Sequence, residues 1–296
     1  MKPATLFCFG LGYSAMQLAR NLKAKGWQIA GTCRTPDQAA KLKAQGIDAH
    51  VFDGETGADD GALSAALATA GYVLVSVPPG KAGDPVLRHF GHKLAARSDI
   101  EWLGYLSTTG VYGDTGGAWV DETAPVRADV PRSRDRAEAE QGWMALHDEK
   151  GLPVHLFRLA GIYGPGRSPL ERIRAGNARR IVKPGHRFSR IHVEDIANVL
   201  IASMAKPNPG AVYNVCDDEP EEPGIVTEFG CKLLGITPPP PTPFEEAAKA
   251  MTPMGLSFWQ DNRRVRNDRI KSELGVKLSF PTYREGLAAL AGEKPD

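Results

Sequence analysis

Metal-binding cysteine motifs and long hydrophobic runs are both missing from this sequence. Its four cysteines, Cys8, Cys33, Cys216 and Cys231, form no C-x-x-C pair. We therefore expect buried free thiols in a reducing compartment rather than disulfides or a metal site. No apolar run approaches the roughly 20 residues of a membrane-spanning helix. The sequence predicts a cytoplasmic protein that binds no metal and does not associate with a membrane.

An excess of charge of either sign is also missing. The 36 Lys and Arg residues nearly balance the 35 Asp and Glu residues, which leaves a formal net charge of +1. Near neutrality gives no general reason to expect nucleic acid or an anionic membrane as a partner. The chain has 296 residues, of which 42% are hydrophobic. That is enough for one large α/β domain or two smaller ones.

What the chain does contain, near its start, is a glycine turn between a predicted strand and a predicted helix. The apolar run Leu6 to Phe9 meets Gly10-Leu11-Gly12, and a helical pattern follows. Gly10 allows a sharp turn, Gly12 lets a pyrophosphate approach the backbone, and Ala15 is small enough for close packing of helix and strand. The amides of the first helical turn, including those of Tyr13 and Ser14, would hold the phosphates.

A second predicted strand, Gln28 to Thr32, follows this turn at the distance expected of a strand–helix–strand unit. That context favours a dinucleotide cofactor over a purely structural glycine turn. Arg34 ends the second strand about 20 residues after the turn, where dinucleotide folds place the residue that contacts the adenosine ribose. A guanidinium there matches a 2′-phosphate, so Arg34 favours NADP over NAD, although NAD stays possible. The alternative is a solvated arginine at a strand end.

Other candidate cofactor contacts follow predicted strands. Asp53 ends the third strand and could meet the adenine amino group, or could cap a helix. The fourth strand, Tyr72 to Val77, is nearly all apolar and stops at Pro78-Pro79-Gly80. Val77 and Pro78 would wall the cofactor near the nicotinamide ribose. Because ligands bind at the carboxyl ends of parallel strands, these residues are expected to converge on one site.

An ordered series of motifs runs through the rest of the chain. It comprises Ser107-Thr108-Thr109-Gly110-Val111-Tyr112-Gly113, Val120-Asp121-Glu122, Arg158-Leu159-Ala160-Gly161-Ile162-Tyr163-Gly164-Pro165-Gly166-Arg167, Ile191-His192-Val193-Glu194-Asp195 and Tyr213-Asn214-Val215. This series resembles the extended short-chain dehydrogenase/reductase superfamily, in its NAD(P)-dependent epimerase/dehydratase branch. The resemblance covers roughly residues 4 to 275.

The resemblance implies an NAD(P) cofactor on the N-terminal sheet and a sugar-nucleotide-like substrate against a C-terminal part. It also implies that Thr108 polarises the substrate oxygen, because its hydroxyl can donate a hydrogen bond there. A strand-end threonine that merely ties down a loop is the alternative. Members of the superfamily often form dimers, so a homodimer is possible.

The chain departs from the superfamily at its central Tyr-x-x-x-Lys pair. Aligning on Glu140-Gln141 puts Arg132 at the tyrosine position and Arg136 at the lysine position. Arg136 can still hold a ribose or phosphate, but arginine is no proton donor near neutrality. The residues that could replace the tyrosine are Tyr112, Asp121, Glu122 and His192, each of which also has a structural interpretation. The chain therefore resembles most closely the atypical members that bind NAD(P) without the tyrosine.

We predict a doubly wound parallel α/β sheet of strand order 3-2-1-4-5-6-7 with a small, mostly helical C-terminal substrate region. Residues 1–164, with helix 193–205 and a strand near 211–216, would form the cofactor-binding core. Residues 165–190 and 217–296 would bind the substrate. Local clusters of arginine in a nearly neutral chain favour a defined anion such as a diphosphate, although scattered surface arginines are the alternative. The predicted substrate contacts are Thr109, Arg167, Arg190, His192 and Arg266.

Two functions remain open. One is an NADP-dependent oxidoreductase, epimerase or dehydratase acting on a phosphorylated or nucleotide-linked sugar, with hydride transfer near Thr108. The other is a catalytically silent NADP(H)-binding sensor or regulator. The retained glycine turn and Thr108 are compatible with both, and the missing tyrosine excludes neither.

Overall fold

The computed structural model describes residues 1–57 and 61–292. A helix cap that the sequence predicts at Asp59-Asp60 lies outside the described residues, as do the last four residues of the predicted region 217–296. Among the helices within the described ranges, none combines the length and the apolar character needed to cross a bilayer.

Short strands and helices alternate along most of the described chain. The strands are β1 (Thr5–Phe9), β2 (Gln28–Cys33), β3 (Asp48–Val51), β4 (Tyr72–Val75), β5 (Trp102–Thr108), β6 (Trp119–Val120), β7 (Val154–Leu159), β8 (Gly161–Tyr163), β9 (Arg180–Val182), β10 (Arg190–His192), β11 (Val212–Val215), β12 (Pro241–Pro243) and β13 (Arg264–Val265). The helices are α1 (Tyr13–Lys23), α2 (Pro36–Ala44), α3 (Ala62–Ala68), α4 (Pro85–Ala95), α5 (Pro131–Lys150), α6 (Pro169–Arg174), α7 (Val193–Ala205), α8 (Pro223–Leu233), α9 (Phe244–Ala248), α10 (Pro253–Ser257), α11 (Asp268–Ser272) and α12 (Tyr283–Gly292).

The main sheet has seven strands in the order β11-β7-β5-β4-β1-β2-β3. With β7 and β11 as the predicted sixth and seventh strands, this confirms the order 3-2-1-4-5-6-7. The pairs β1–β2, β1–β4, β2–β3 and β4–β5 are all parallel. The order reverses direction between β1 and β4, so the carboxyl ends of these two strands flank the crevice where such sheets bind ligands.

Local sequence explains how the sheet ends are shaped. All four residues of β4 are buried, as expected of a parallel strand covered on both faces. The strand stops at Val75, two residues before the predicted Val77, because its partner β1 ends at Phe9, directly opposite Val75. Helix α4 then begins at Pro85, capped by the Asp84 carboxylate, which accepts from the amides of Val86 at 2.8 Å and Leu87 at 2.9 Å.

An aromatic cluster fixes the position of β1 against α4. Phe7 and Phe9 alternate along β1 and so lie on one face of the sheet. The Phe9 ring lies 5.0 Å from the Phe90 ring and 6.2 Å from the Phe52 ring. All of these side chains are buried in one hydrophobic cluster. The glycine turn after Phe9 is therefore attached to a rigid strand end.

Contacts divide the described chain into two compact units. Unit 1 comprises residues 1–108, 131–158 and 196–213, and unit 2 comprises residues 109–130, 159–195 and 214–296, apart from the residues not described. Unit 1 contains the glycine turn and most of the main sheet. Residues 109–130, which the sequence assigned to the cofactor-binding core, group with unit 2.

Unit 2 contains the predicted substrate segments, in which helices α6 and α8 to α12 are accompanied by short strands. Its short strands pair as β8 with β10, β9 with β12, and β6 with β13, all in parallel. Strand β12 lies in the proline-rich segment 237–243, which the sequence predicts to be a stiff extended connection. It can pair because its prolines suit an extended edge strand, and Thr242 between them keeps its amide.

Candidate functional site

The glycine turn closes tightly over the ends of three strands. Gly10 has φ +88°, a conformation that other residues rarely adopt. Its amide donates to the Thr32 Oγ1 atom at 2.9 Å, and its carbonyl accepts from the Ser76 hydroxyl at 2.7 Å. A Cβ atom at Gly10 would lie only 2.9 Å from the Val77 Cγ2 atom. The structure thus requires glycine here, for the reason inferred from the sequence.

At Gly12, by contrast, the fold itself does not exclude a side chain. Gly12 is the N-cap of α1, with φ −89° and ψ −169°, and no side chain caps this helix end. A Cβ atom at Gly12 would have no atom within 4 Å, so the space above it is open. Tyr13 and Ser14 begin α1, and Ala15 is fully buried. An uncapped helix N-terminus beside open space fits the pyrophosphate of a dinucleotide.

A cavity of about 1110 Å³ lies at the carboxyl ends of β1, β2, β3 and β4, wholly within unit 1. Of the ten predicted cofactor contacts, the cavity brings six together, and these are Gly10, Gly12, Arg34, Asp53, Val77 and Pro78. Tyr13, Ser14, Ala15 and Arg136 are not among its lining residues. The volume lies at the upper end of the usual range for small-molecule sites, which suits an extended ligand.

The cavity wall carries more positive than negative side chains. Arg34, Lys41, Lys81 and Arg88 line it, against the carboxylates of Asp53 and Glu55. Such an excess of cations favours an anionic ligand.

Lys41 is a cavity residue that sequence reasoning missed. It lies on α2, one turn after Gln38, which also lines the cavity and whose Oε1 atom accepts from the Arg34 amide at 3.2 Å. Gln38 and Lys41 are three residues apart on a helix that starts just after Arg34, and this spacing was the sequence signal that could have identified Lys41. Arg34 and Lys41 supply two cations where the ribose-contacting residue was predicted.

Asp53 is held by its own loop. Its Oδ1 atom accepts from the amides of Glu55 at 2.8 Å and Thr56 at 3.1 Å, and its carboxylate also accepts from the Thr56 hydroxyl. These bonds lower the pKa of Asp53, and the bond from the Glu55 amide contributes most to that shift. The carboxylate therefore shapes the rim of the cavity, and its contact with adenine remains a prediction.

The predicted catalytic residues fall in both units. Thr108 is the last residue of β5 and is half-buried. Tyr112 is buried in the 3₁₀ turn that follows, and its hydroxyl donates to the Asn214 Oδ1 atom at 2.7 Å. The backbone amide of Asn214 donates to the Glu122 Oε1 atom at 2.7 Å. Asn214 thus links Tyr112 and Glu122 within unit 2.

Glu122 and Tyr112 differ in how well their surroundings suit a group that exchanges a proton. Burial raises the pKa of Glu122, which keeps this carboxyl group closer to the range in which it can carry a proton. The Tyr112 hydroxyl is almost fully buried and bonded, an arrangement typical of a packed aromatic. The Asp121 carboxylate accepts from the amide and hydroxyl of Thr123 and shapes its own turn.

Helix α5 presents arginines where the superfamily has its catalytic pair, as aligned from the sequence. The Arg136 Nη1 atom donates to the Tyr105 hydroxyl at 3.2 Å and to the Leu106 carbonyl. Arg136 therefore holds the end of β5, and its predicted contact with the cofactor ribose remains a prediction. No side chain at position 132 or 136 of this helix can replace the tyrosine as a proton donor.

One turn further along α5, Glu140 forms a buried ion pair that sequence reasoning missed. The Arg158 guanidinium donates to both carboxylate oxygens of Glu140, with the Nη2–Oε2 distance at 2.7 Å. The Ser107 hydroxyl donates to the Glu140 Oε1 atom at 2.5 Å. All three residues are less than 10% exposed. Arg136 and Glu140 together hold the three residues that precede Thr108.

The predicted substrate contacts all lie in unit 2 and differ in exposure. Arg167 and Arg266 are exposed, and Thr109 is buried. The Arg190 Nη1 atom donates to the carbonyls of Phe188 at 2.7 Å and Glu221 at 3.0 Å. Burial lowers the pKa of His192 to about 4, so its ring is neutral near pH 7. Its buried Nε2 atom has no hydrogen-bond partner among the described residues.

Within residues 1–57 and 61–292, no three His, Cys, Asp or Glu side chains gather in a way that could hold a metal ion.

Comparison with known proteins agrees with the motif series. The model of the NAD dependent epimerase/dehydratase family matches residues 92–216. Protein YeeZ of Escherichia coli K12 is 30% identical over 281 residues, which cover 92% of this chain and 94% of YeeZ. The chain belongs to the NAD dependent epimerase/dehydratase family. Members of this family bind NAD(P).

Two solved structures extend the comparison. A functionally unknown conserved protein from Silicibacter pomeroyi DSS is 50% identical, with a TM-score of 0.89 over 99% of this chain and 100% of that one. The dTDP-glucose 4,6-dehydratase of Bacillus anthracis Ames, in complex with NAD, gives a TM-score of 0.75 at 17% identity over 98% of this chain and 95% of that one. The second likeness supports the fold alone.

Proposed function

We propose that this protein is an NADP(H)-dependent oxidoreductase of the epimerase/dehydratase type that acts on a nucleotide-linked or phosphorylated sugar. The observation that carries the proposal is the cavity of unit 1. The uncapped amides of α1 and the space above Gly12 suit a pyrophosphate. Arg34 and Lys41 supply two cations near the end of β2, which suits an additional ribose phosphate.

The bound nicotinamide would supply a hydride acceptor or donor, and the chain's own residues would bind and orient the reacting groups. Thr108 is the group that we assign to the substrate oxygen, because its hydroxyl can donate to a carbonyl or an alcohol there. Ser107, held by Glu140, fixes the backbone directly before it.

A proton must also be exchanged with the substrate oxygen, and α5 has no tyrosine for this step. Of the candidates, Glu122 has the raised pKa that a general acid needs. The hydroxyl of Tyr112 is bonded to Asn214, and burial lowers the pKa of His192 to about 4. We therefore propose Glu122 as the proton carrier and Arg167, Arg190 and Arg266 as the charges that favour an anionic substrate.

A panel of nucleotide sugars, each incubated with the protein and NADP⁺ or NADPH, tests this function. We expect Thr108→Val to lower kcat about a hundredfold on the best substrate, as removal of one oxyanion donor typically does. Absorbance at the nicotinamide band, or chromatography of the sugar products, measures the change. Thr69→Val is the control, because Thr69 lies at the end of α3, where its hydroxyl donates to the Ala66 carbonyl at 2.9 Å, away from the cavity lining. Equal loss in both variants would contradict the role of Thr108.

A second function is favoured by a specific observation. Arg132 occupies the tyrosine position, and Arg136 is bonded to the end of β5, so the family's acid–base pair is absent from α5. A protein of this kind could sense NADP(H) without turnover. Tight NADPH binding with no turnover on the panel, together with a protein partner that depends on the redox state, would support the sensor.

The preference for NADP over NAD rests on Arg34. We expect Arg34→Asp to weaken NADPH binding by about 2 kcal/mol, or roughly thirtyfold, because charge-assisted bonds to a phosphate are lost. NADH has no 2′-phosphate, so its affinity should change no more than about threefold. Calorimetric titrations with both cofactors measure the difference. Arg20→Asp makes the same charge change on α1, away from the cavity lining. Equal losses of NADPH and NADH would refute the assignment.

A further inference from the structure

Two glycine-containing segments form part of the rim of the cavity. The first, the rim loop, is residues 53–57, with Gly54 at φ +79° and Gly57 at φ +65°. The second, the rim turn, is residues 80–83, in which the amides and carbonyls of Gly80 and Gly83 bond each other at 2.9 and 3.0 Å. Both segments contribute lining residues, including Asp53 to Glu55 and Gly80 to Gly83.

One side chain joins the two segments. Arg88 lies on α4, and its Nη2 atom donates to the Gly54 carbonyl at 2.8 Å. Its Nη1 atom donates to the Ala82 carbonyl at 3.3 Å. The guanidinium also contacts the His89 Nε2 atom at 3.2 and 3.3 Å. Arg88 itself lines the cavity, so it bridges the rim from the side of the ligand.

The rim loop rests directly on the first turns of α4. A Cβ atom at Gly54 would lie 3.2 Å from the Pro85 Cβ atom, and one at Gly57 would lie 2.2 Å from the His89 Nδ1 atom. The loop therefore packs against the backbone-proximal atoms of α4 and is also bonded by the guanidinium of Arg88. A planar fork with several donors can hold two carbonyls at a fixed separation.

Rigidity at this rim matters for affinity. Glycine segments lose more backbone entropy on ordering than other segments do. A bridge that orders them before the ligand arrives removes part of that cost from binding.

We propose that Arg88 is a positioning residue that holds the rim loop and the rim turn at the separation needed by the adenosine half of the cofactor. This inference rests on the proposed function, because it assumes that the cavity takes NADP(H). The adenosine half belongs at this end because Arg34 and Asp53 follow β2 and β3.

Binding of cofactor fragments tests the proposal. We expect Arg88→Met to weaken the binding of adenosine 2′,5′-bisphosphate and of NADPH about tenfold, because two carbonyl hydrogen bonds that order the rim are lost. The dissociation constant of nicotinamide mononucleotide, which lacks the adenosine half, should stay unchanged, so it should displace NADPH more readily from this variant than from the unsubstituted protein. Arg88→Lys can satisfy only one carbonyl at a time and should recover part of the loss.

Arg97→Met is the matched control. Arg97 also joins two carbonyls, those of Leu67 at 2.7 Å and Ala70 at 2.8 Å, and pairs with Asp99. It is not among the cavity residues. Its loss should leave adenosine 2′,5′-bisphosphate binding unchanged. The same loss of affinity in both variants would overturn the proposal, because it would indicate general destabilisation.

Amide hydrogen exchange in the protein without cofactor supplies an independent measurement. We expect Arg88→Met to speed exchange at Glu55 and Thr56 and at Gly80 and Gly83 together, since one bridge holds both segments. Weaker binding with unchanged exchange would overturn the positioning role in favour of direct contact with the ligand. Failure of the proposed function appears separately, as no binding of NADPH by the unsubstituted protein, and exchange alone then decides whether Arg88 joins the two segments.

Discussion

Replacing Gly12 with aspartate is expected to abolish cofactor binding without any loss of stability. Gly12 is the N-cap of α1 in an extended conformation that any residue can adopt, and a Cβ atom there would meet nothing within 4 Å. Aspartate is among the best N-cap residues, and exchanging glycine for it should stabilise the helix by a few tenths of a kcal/mol, roughly. The fold therefore has no reason to resist the change.

The same carboxylate would occupy the position that we assign to the pyrophosphate. It would accept hydrogen bonds from the first-turn amides that the phosphates need, and its charge would repel them. We expect the affinity for NADPH to fall at least about a thousandfold, which corresponds to about 4 kcal/mol. Calorimetric titration measures the affinity, and thermal unfolding measures the stability, which should stay constant or rise slightly.

Two alanine variants separate charge from shape. Gly12→Ala adds a methyl group to the open space and should weaken NADPH binding less than the aspartate does, while alanine, a poorer N-cap than glycine, should cost about 0.5–1 kcal/mol of stability. Gly10→Ala should instead destabilise the protein by about 1–3 kcal/mol, because φ is +88° and the new Cβ would lie 2.9 Å from Val77. Undiminished NADPH binding by Gly12→Asp would mean that the pyrophosphate does not lie at the start of α1.

Features that depend on neighbouring residues could be predicted from the sequence. The glycine turn was predictable because the positive φ of Gly10 is a property of the local backbone. The sheet order followed from buried apolar strands that alternate with capped helices, such as α4 after Asp84-Pro85. The six lining residues converge because the carboxyl ends of adjacent parallel strands meet at one edge of the sheet.

Features that depend on residues far apart in the sequence could not be predicted from it. Tyr112 bonds Asn214, 102 residues later, so nothing near Tyr112 indicates that its hydroxyl is already paired. Strand β12 pairs with β9 across about sixty residues of chain, and its proline-rich sequence gave no sign of pairing. The direction of Arg136, toward the end of β5, depends on how α5 packs against the sheet. Aligning the sequence on Glu140 identified Arg136 as the residue at the lysine position, but it could not show that Arg136 contacts the end of β5.

Replacing Glu140 with glutamine is expected to have the largest effect on stability. Glu140 and Arg158 are 4% and 6% exposed, and the Arg158 guanidinium bonds both carboxylate oxygens. Glutamine keeps the shape of the side chain but leaves the Arg158 charge buried without a counterion. Breaking a buried pair in this way typically costs about 3–5 kcal/mol. Urea unfolding of the variant should show that loss in the free energy of unfolding.

A surface pair of equal length provides the control. Arg180 and Glu228 also approach to 2.7 Å, but their side chains are 28% and 49% exposed. Glu228→Gln should therefore cost no more than about 1 kcal/mol, because solvent screens that pair. A comparable loss in both variants would show that burial does not set the strength of the Glu140–Arg158 pair.

A double replacement separates the cost of an unpaired charge from the net value of the pair. Glu140→Leu with Arg158→Met removes both charges and keeps an apolar fill, so most of the lost stability should return. The Ser107 hydroxyl would still lack its acceptor, which accounts for about 1 kcal/mol that should not return. The double variant should therefore have nearly the stability of the original protein. The end of β5 should nevertheless be held less firmly next to Thr108, because Ser107 has lost its bond to Glu140. If Thr108 acts on the substrate, turnover should then fall in the double variant although its stability is nearly restored.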